Sequence, residues 1–163
     1  YGFKPVGNTE KGFKCSNGIC DIYLTFHVPD ITSLRSLYRS ANVGIAYSRA
    51  EGWDLPLIEL MACGIPTIAS NVIGHSEYLP GAPKIQQDLV VEPKGMCNAN
   101  DGKWFKGDRG DWHELDDSKL ADLLEDTYDE QDKYKKPNKE LSNYYHENYN
   151  WSLPAKKVSD ILS

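Results

Sequence analysis

Two glutamates separated by seven residues are the pair in this chain best placed to do chemistry. Glu51 precedes Gly52, a residue type that permits unusual backbone angles and close approach of a ligand. Glu59 falls one turn inside an apolar stretch that predicts a helix, where side chains tilt back toward the helix N-terminus. A carboxylate among apolar neighbours is costly unless it is hydrogen-bonded, and sugar or ribose hydroxyls would supply those bonds.

The residues between the two glutamates predict an anion site. Asp54 can cap the helix, and Pro56 falls in its first turn, where a missing N–H does no harm. The N-terminus of such a helix presents free N–H groups and a positive dipole end, which suit a phosphate. A nucleotide sugar combines phosphates with hydroxyls. The alternative, which spacing alone favours, is that Glu51 is a plain loop acid and Glu59 lies exposed on the helix's polar stripe.

The elements that must position this pair alternate between strand and helix. The apolar pattern predicts the strands Cys20–Val28, Val43–Tyr47 and Pro66–Ala69, with one helix from Ile31 and a second over Leu55–Cys63. Short connections and apolar strands predict an α/β fold, a Rossmann-like parallel sheet with helices on both faces. Ligands bind such sheets at the carboxyl ends of strands, so the loop after the second strand is expected to hold the site.

The rest of the chain shows weaker signals and no internal repeat. The segment before residue 19 is rich in Gly, Lys and Asn and predicts irregular structure. The later predictions are one or two helical turns over 74–79, a strand over 84–91, a long surface loop or insertion over 93–114, and helices over 117–128, 138–149 and 150–163.

Composition bounds the class of protein. A chain of 163 residues with 40% apolar and 26% charged residues predicts one soluble domain. The net charge of −6 argues against a nucleic-acid partner. No stretch is apolar enough to span a bilayer and no signal segment is present, so we expect a cytoplasmic protein with reduced cysteines. The cysteine spacings match no zinc template, and no metal site is expected.

One continuous stretch carries a family resemblance. Residues 37–70, which include Ala50-Glu-Gly-Trp-Asp-Leu-Pro-Leu-Ile-Glu59, closely resemble the C-terminal domain of retaining glycosyltransferases of family 4, which have the GT-B fold. The family's E-x7-E motif maps on Glu51 and Glu59, and Met61-Ala-Cys-Gly-Ile-Pro66 is a typical continuation. The block Gly74-His-Ser-Glu-Tyr-Leu79 is also similar. The resemblance implies the donor-binding C-terminal half of a two-domain GT-B enzyme.

The resemblance also implies a role for each matching residue. Glu51 would be the catalytic residue beside the donor sugar, and Glu59 would bind the ribose hydroxyls. The backbone of the residues between them would bind the sugar and the diphosphate, and two residues of an earlier loop would border the base. These donor-binding residues are Gly52, Trp53, Asp54, Leu55, His27 and Val28, with Ser48 and His75 as further candidates. Enzymes of this kind need no tightly bound metal or cofactor besides the nucleoside-diphosphate sugar they consume.

Two departures from the family pattern stand out. The family often has a small or amide residue at Asp54, and an acid beside a diphosphate is unfavourable unless it points away as the helix cap. The basic residues that neutralise the diphosphate lie upstream of the matching stretch. Lys4, Lys11 and Lys14 are present there, but no motif assigns them to that role.

The predicted activity is transfer of a hexose from a nucleoside-diphosphate sugar to an unknown acceptor with retention of configuration. The acceptor would bind an N-terminal domain absent from these residues, to which the helix over 150–163 would cross. That missing domain could also tether the enzyme to a membrane surface. Alone, the chain is expected to be nearly inactive. The alternative is a non-catalytic nucleotide-sugar-binding module or the donor-binding subunit of a split glycosyltransferase.

Overall fold

The computed structural model describes residues 2–9 and 12–162. The chain divides into two compact units, Tyr1–Leu37 and Tyr38–Ser163, where the sequence analysis treats it as one domain. Each unit has its own sheet and is described by itself.

The first unit contains an antiparallel three-stranded sheet. Strands β1 (Lys4–Thr9), β2 (Gly12–Ser16) and β3 (Asp21–Thr25) lie in the order β1-β2-β3. The prediction of irregular structure before residue 19 is therefore wrong. So is the placement of the first predicted strand in the parallel sheet. Asn17 Oδ1 accepts hydrogen bonds from the N–H groups of Ile19 and Cys20 in the turn, which brings β3 back along β2.

Helix α1 (Ile31–Arg39) follows, as the apolar pattern from Ile31 predicts. Asp30 Oδ1 accepts a hydrogen bond of 2.8 Å from the N–H of Ser33, which occupies one of the N–H groups left free at the helix start.

The second unit holds the predicted parallel sheet. Its strands are β4 (Gly44–Ala46), β5 (Thr67–Ser70) and β6 (Val90–Val91), all parallel and in the order β4-β5-β6. Helix α2 (Leu55–Ala62) connects β4 to β5 and ends before Gly64, which adopts a φ of +80°. The start agrees with the prediction, and the helix ends one residue before the predicted Cys63, which is its C-cap.

The connection from β5 to β6 differs from the predicted strand over 84–91. It contains the 3-10 turn Ile73–Glu77 and a short helix α3 (Lys84–Gln87) before β6. The side chain of Gln86 is fully buried and bonds the backbone N–H and carbonyl of Thr67 at 2.9 and 2.7 Å. Because the Gln86 side chain forms these hydrogen bonds with β5, the segment can be helical here and need not form the predicted apolar strand.

Helices cover both faces of this sheet, as predicted. Successive β5 side chains point to opposite faces. Ile68 packs in a core cluster with Leu123 of helix α4 (Asp117–Asp129), whereas Ala69 packs in another with Leu57 of α2 and Leu141 of helix α5 (Lys139–Asn148).

The segment over 93–114 has more regular structure than the predicted long loop. Strands β7 (Gly95–Asn98) and β8 (Asp111–Glu114) form an antiparallel hairpin within it. Helix α6 (Ser152–Leu162) confirms the helix predicted near the end of the chain, and it contains no buried residue. That α6 crosses to another domain stays a prediction. None of the described helices is long and apolar enough to cross a bilayer.

Candidate functional site

The loop after β4 carries Glu51 and is fixed to the neighbouring strand. The N–H of Ser48 donates to Ser70 Oγ over 3.1 Å, and that hydroxyl donates to the Ser48 carbonyl over 2.5 Å. Ser48 Oγ in turn donates to Glu51 Oε1 over 2.8 Å. Glu51 is half-buried. Its carboxylate is therefore held at the carboxyl end of the parallel sheet, where sequence analysis expects a ligand.

A close approach of two glycines shapes the same loop. The N–H of Gly74 donates to the Glu51 carbonyl over 3.2 Å, and a Cβ on Gly74 would lie 2.3 Å from the Gly52 carbonyl oxygen. Gly52 has open space at its Cβ position and does not adopt a left-handed φ. The unusual backbone angle expected at Gly52 belongs to Asp54, whose φ is 60°. Gly74 is thus the glycine that the loop packing requires.

Asp54 caps helix α2 and points back into the protein. Its Oδ1 accepts a hydrogen bond of 3.3 Å from the N–H of Leu57, and its Oδ2 lies 3.0 Å from His75 Nε2. His75 is fully buried, with Nδ1 2.7 Å from the Ser70 carbonyl oxygen. An acid at this position is compatible with a bound diphosphate if it points away as the helix cap, and Asp54 does so. His75 lies beneath the loop and has no exposed surface to offer a ligand.

Backbone N–H groups at the start of α2 remain available. The N–H groups of Gly52, Trp53, Asp54 and Leu55 donate no hydrogen bond to any of the described residues. Pro56 has no N–H to satisfy. Free N–H groups together with the helix dipole form an anion-binding arrangement.

Glu59 has a partner within the protein that sequence analysis did not anticipate. The Tyr38 hydroxyl donates to Glu59 Oε2 over 3.1 Å. Burial, and then the bond to Glu59, raise the pKa of Tyr38 to about 12. Glu59 is half-buried, and within the described residues nothing donates to its Oε1. The carboxylate is therefore oriented on one side and open to a ligand on the other.

Glu59 also lines a cavity of about 770 Å³ between α2 and the start of α6. Trp53 and Leu55 share its wall with Glu59, opposite Trp151, which precedes α6, and Lys157 of α6. The structure therefore brings three of the predicted donor-binding residues to one cavity. Glu51 is not part of this wall, and its contacts lie at the sheet edge instead.

Tyr78 supports the loop from below. Its hydroxyl donates to the Trp53 carbonyl over 2.7 Å, and the two rings pack edge to face with centroids 5.4 Å apart. The ring is fully buried, and this burial, with smaller effects of the Asp54 and Glu51 charges, raises the pKa of Tyr78. Tyr78 is not among the residues predicted from the sequence. The sequence signal that could have identified Tyr78 is its position in the same short block as Gly74 and His75.

Arg49 fastens the β7–β8 hairpin to the loop that leads to Glu51. The Arg49 guanidinium lies 4.3 Å from the centre of the Trp112 ring, and its Nε donates to the His113 carbonyl over 3.0 Å. The N–H of His113 donates to the Arg49 carbonyl, also over 3.0 Å. This contact was not predicted, because 64 positions separate Arg49 from His113 in the sequence.

The predicted base-contacting residues belong to the first unit. His27 is exposed and Val28 is half-buried there, so their role beside a base stays a prediction. Lys14 pairs with Asp21 at 2.8 Å, and Lys11 lies outside the described residues. No group of three or more His, Cys, Asp or Glu side chains that could hold a metal occurs among the residues described.

A small parallel sheet covered by helices, with an acidic loop and a capped helix N-terminus at its carboxyl edge, is consistent with a Rossmann-like domain. Comparison with known proteins identifies its family. The profile described as Glycosyl transferases group 1 matches residues 4–99, more than half of the chain. The protein belongs to the group 1 glycosyltransferases.

A curated relative agrees with this assignment. The chain is 36% identical over 70 residues to O-antigen chain mannosyltransferase B of Escherichia coli, an alignment covering 43% of this chain and 17% of that protein. The chain thus spans under a fifth of that relative's length. No solved structure matches the chain significantly.

Proposed function

We propose that the chain is the donor-binding half of a retaining family 4 glycosyltransferase with the GT-B fold, which transfers a hexose from a nucleoside-diphosphate sugar. The observation that carries the proposal is the juxtaposition, in one short loop, of the oriented Glu51 carboxylate with the free N–H groups of residues 52–55. Membership in the group 1 glycosyltransferases supports it. The relative is named a mannosyltransferase, which favours a hexose as the transferred sugar.

The N–H groups of Gly52 to Leu55 bind the diphosphate and the adjoining sugar oxygens in this proposal. Negative charge on the phosphates is favourable at the start of α2 because the helix dipole presents its positive end there. The open Oε1 of Glu59 accepts hydrogen bonds from the ribose hydroxyls. Residues His27 and Val28 border the base.

Glu51 acts at the sugar itself. As the bond from the sugar to the diphosphate breaks, positive charge develops on the sugar ring, and a carboxylate held nearby stabilises that charge. The hydrogen bond from Ser48 fixes the carboxylate in advance, so no reorganisation is needed at that moment. The acceptor comes from a partner domain. Without that domain the chain binds the donor but transfers little.

Calorimetric titration with uridine, guanosine and adenosine diphosphates, and then with their sugar derivatives, tests the proposal. At least one nucleoside diphosphate should bind. Glu59→Ala should weaken binding of that nucleoside diphosphate, because the ribose loses its acceptor. Glu51→Ala should weaken binding of the sugar derivative while changing the affinity for the diphosphate little.

Glu125→Ala is the matched control, since Glu125 is exposed on α4. Its affinities should equal those of the unmodified protein. Unchanged binding in both Glu51→Ala and Glu59→Ala would remove the assignment of these residues to the donor site.

A further inference from the structure

The buried His75 has a hydrogen-bond acceptor opposite each ring nitrogen. Nδ1 lies 2.7 Å from the Ser70 carbonyl oxygen, and Nε2 lies 3.0 Å from Asp54 Oδ2. A carbonyl oxygen only accepts, so Nδ1 carries a proton. A neutral imidazole would then present a lone pair on Nε2 to the carboxylate. The second contact is a hydrogen bond only when a further proton lies between Nε2 and Oδ2, and the pair as a whole then has no net charge.

This pair sits directly behind the start of α2. Asp54 is the N-cap of that helix, and its side chain remains slightly exposed, with 14% of its area open to solvent. An unbalanced carboxylate here would repel a second anion bound at the same helix end. We propose that His75 is a positioning residue that offsets the charge of Asp54, so that the N-terminus of α2 can accept a diphosphate. The inference rests on the proposed function, since it names how the donor's phosphates are tolerated.

The neighbouring groups indicate that His75 is the residue that offsets the charge of Asp54. Within the described residues, Asp54 forms an ion pair with His75 and with no Lys or Arg. Tyr78 also packs against the histidine ring, with 5.9 Å between the ring centres. Its pKa is raised by burial, so it carries no charge at neutral pH. Glu51, in the same loop, adds a negative charge and increases the need for an offset.

The test is a cycle of three variants, His75→Gln, Asp54→Asn and both together, titrated with whichever of uridine, guanosine and adenosine diphosphate binds the unmodified protein most tightly. His75→Gln leaves the carboxylate unbalanced and should weaken diphosphate binding by about tenfold or more. Asp54→Asn keeps a side chain that can cap the helix and removes the charge, so its binding should be equal or tighter. The double variant should recover most of the loss.

Recovery of diphosphate binding in the double variant distinguishes an electrostatic role of His75 from a structural one. If His75 only supported the loop, removing Asp54 as well would leave binding as weak as in His75→Gln or weaker, and that result would overturn the inference. A second measurement uses the corresponding nucleoside without phosphates, whose affinity should change less than threefold in His75→Gln. An equal loss for the nucleoside and the diphosphate would also overturn it.

The two proposals fail differently. If the unmodified protein binds none of the three diphosphates, the proposed function fails and takes this inference with it. If the unmodified protein binds one of them and the cycle shows no recovery, only the role of His75 fails. Should His75→Gln be unfolded, as judged by circular dichroism, Asp54→Asn alone decides, and tenfold weaker binding in that variant would contradict the inference.

Discussion

The Tyr38 hydroxyl donates a hydrogen bond of 3.1 Å to Glu59 Oε2 and so connects the last turn of α1 to the middle of α2. This contact fixes one oxygen of the carboxylate and leaves the other available. An acid that is oriented before a ligand arrives loses less conformational freedom on binding, which increases affinity without any new contact. In the proposed function, Tyr38 therefore prepares Glu59 for the ribose.

Tyr38→Phe removes this hydroxyl and keeps the ring. We expect the free energy of unfolding to fall by about 1 kcal/mol, the typical contribution of one such hydrogen bond. Nucleoside diphosphate binding should weaken by roughly threefold to tenfold because Glu59 is no longer held. Urea unfolding and calorimetry measure the two effects. Tyr128→Phe is the control, since Tyr128 is 74% exposed and its hydroxyl forms no hydrogen bond within the described residues. Equal affinity in both variants would contradict this role.

Alkaline pH should destabilise the protein through its half-buried tyrosines Tyr38 and Tyr47. Burial, and then a 3.2 Å hydrogen bond to Asp117, raise the pKa of Tyr47 from 10.0 to about 12, and the pKa of Tyr38 is raised equally. A folded pKa above the unfolded one gives stability that is complete below the unfolded pKa and is lost as pH rises through the folded one. Stability should therefore fall between pH 10 and 12.

Urea unfolding across that pH range measures the loss, and Tyr47→Phe provides the comparison. The variant should lose less stability than the unmodified protein over the same interval, because it has one fewer tyrosine to ionise. Identical losses would mean that Tyr47 ionises as readily in the folded chain as in the unfolded one.

Short-range signals account for the parts of the fold that sequence analysis predicted. Helix α2 follows from an N-cap residue, Asp54, and a terminating glycine, Gly64, within one apolar segment. Strands β4 and β5 follow from brief apolar runs on either side of it. The position of Glu51 at the carboxyl edge then follows from the topology of parallel sheets.

Long-range side-chain pairs account for what sequence analysis missed. In the sequence, 21 positions separate His75 from Asp54, and the same number separates Tyr38 from Glu59. No local sequence pattern therefore predicts either contact. Strands β1 and β2 were missed for a different reason. They contain Gly, Lys and Asn, residue types that favour irregular structure, and backbone pairing with each other and with β3 forms the sheet.

Gly74 and Gly52 make a matched pair of substitutions in one loop. Gly74→Ala would place a Cβ 2.3 Å from the Gly52 carbonyl oxygen, and relieving that clash should cost about 1–3 kcal/mol of stability. Gly52→Ala meets no atom within 4 Å, so its stability should be unchanged. Its methyl group would nevertheless occupy the space proposed for the donor. We expect Gly52→Ala to fold normally and bind a nucleoside-diphosphate sugar more weakly. Normal binding by this variant would place the donor elsewhere.

Arg49 should determine how firmly the β7–β8 hairpin is held. Arg49→Gln removes the contact with the Trp112 ring and the bond to the His113 carbonyl, and keeps the backbone bond from the His113 N–H. A cation–π contact and a hydrogen bond contribute about 1 kcal/mol each. Hydrogen exchange at His113 should therefore accelerate by roughly tenfold or more, while amides in the parallel strand β5 keep their rates. Arg109→Gln is the control, because Arg109 bonds only locally, to Lys106, within the described residues. If both variants exchange alike, the hairpin is held by its backbone bonds and not by Arg49.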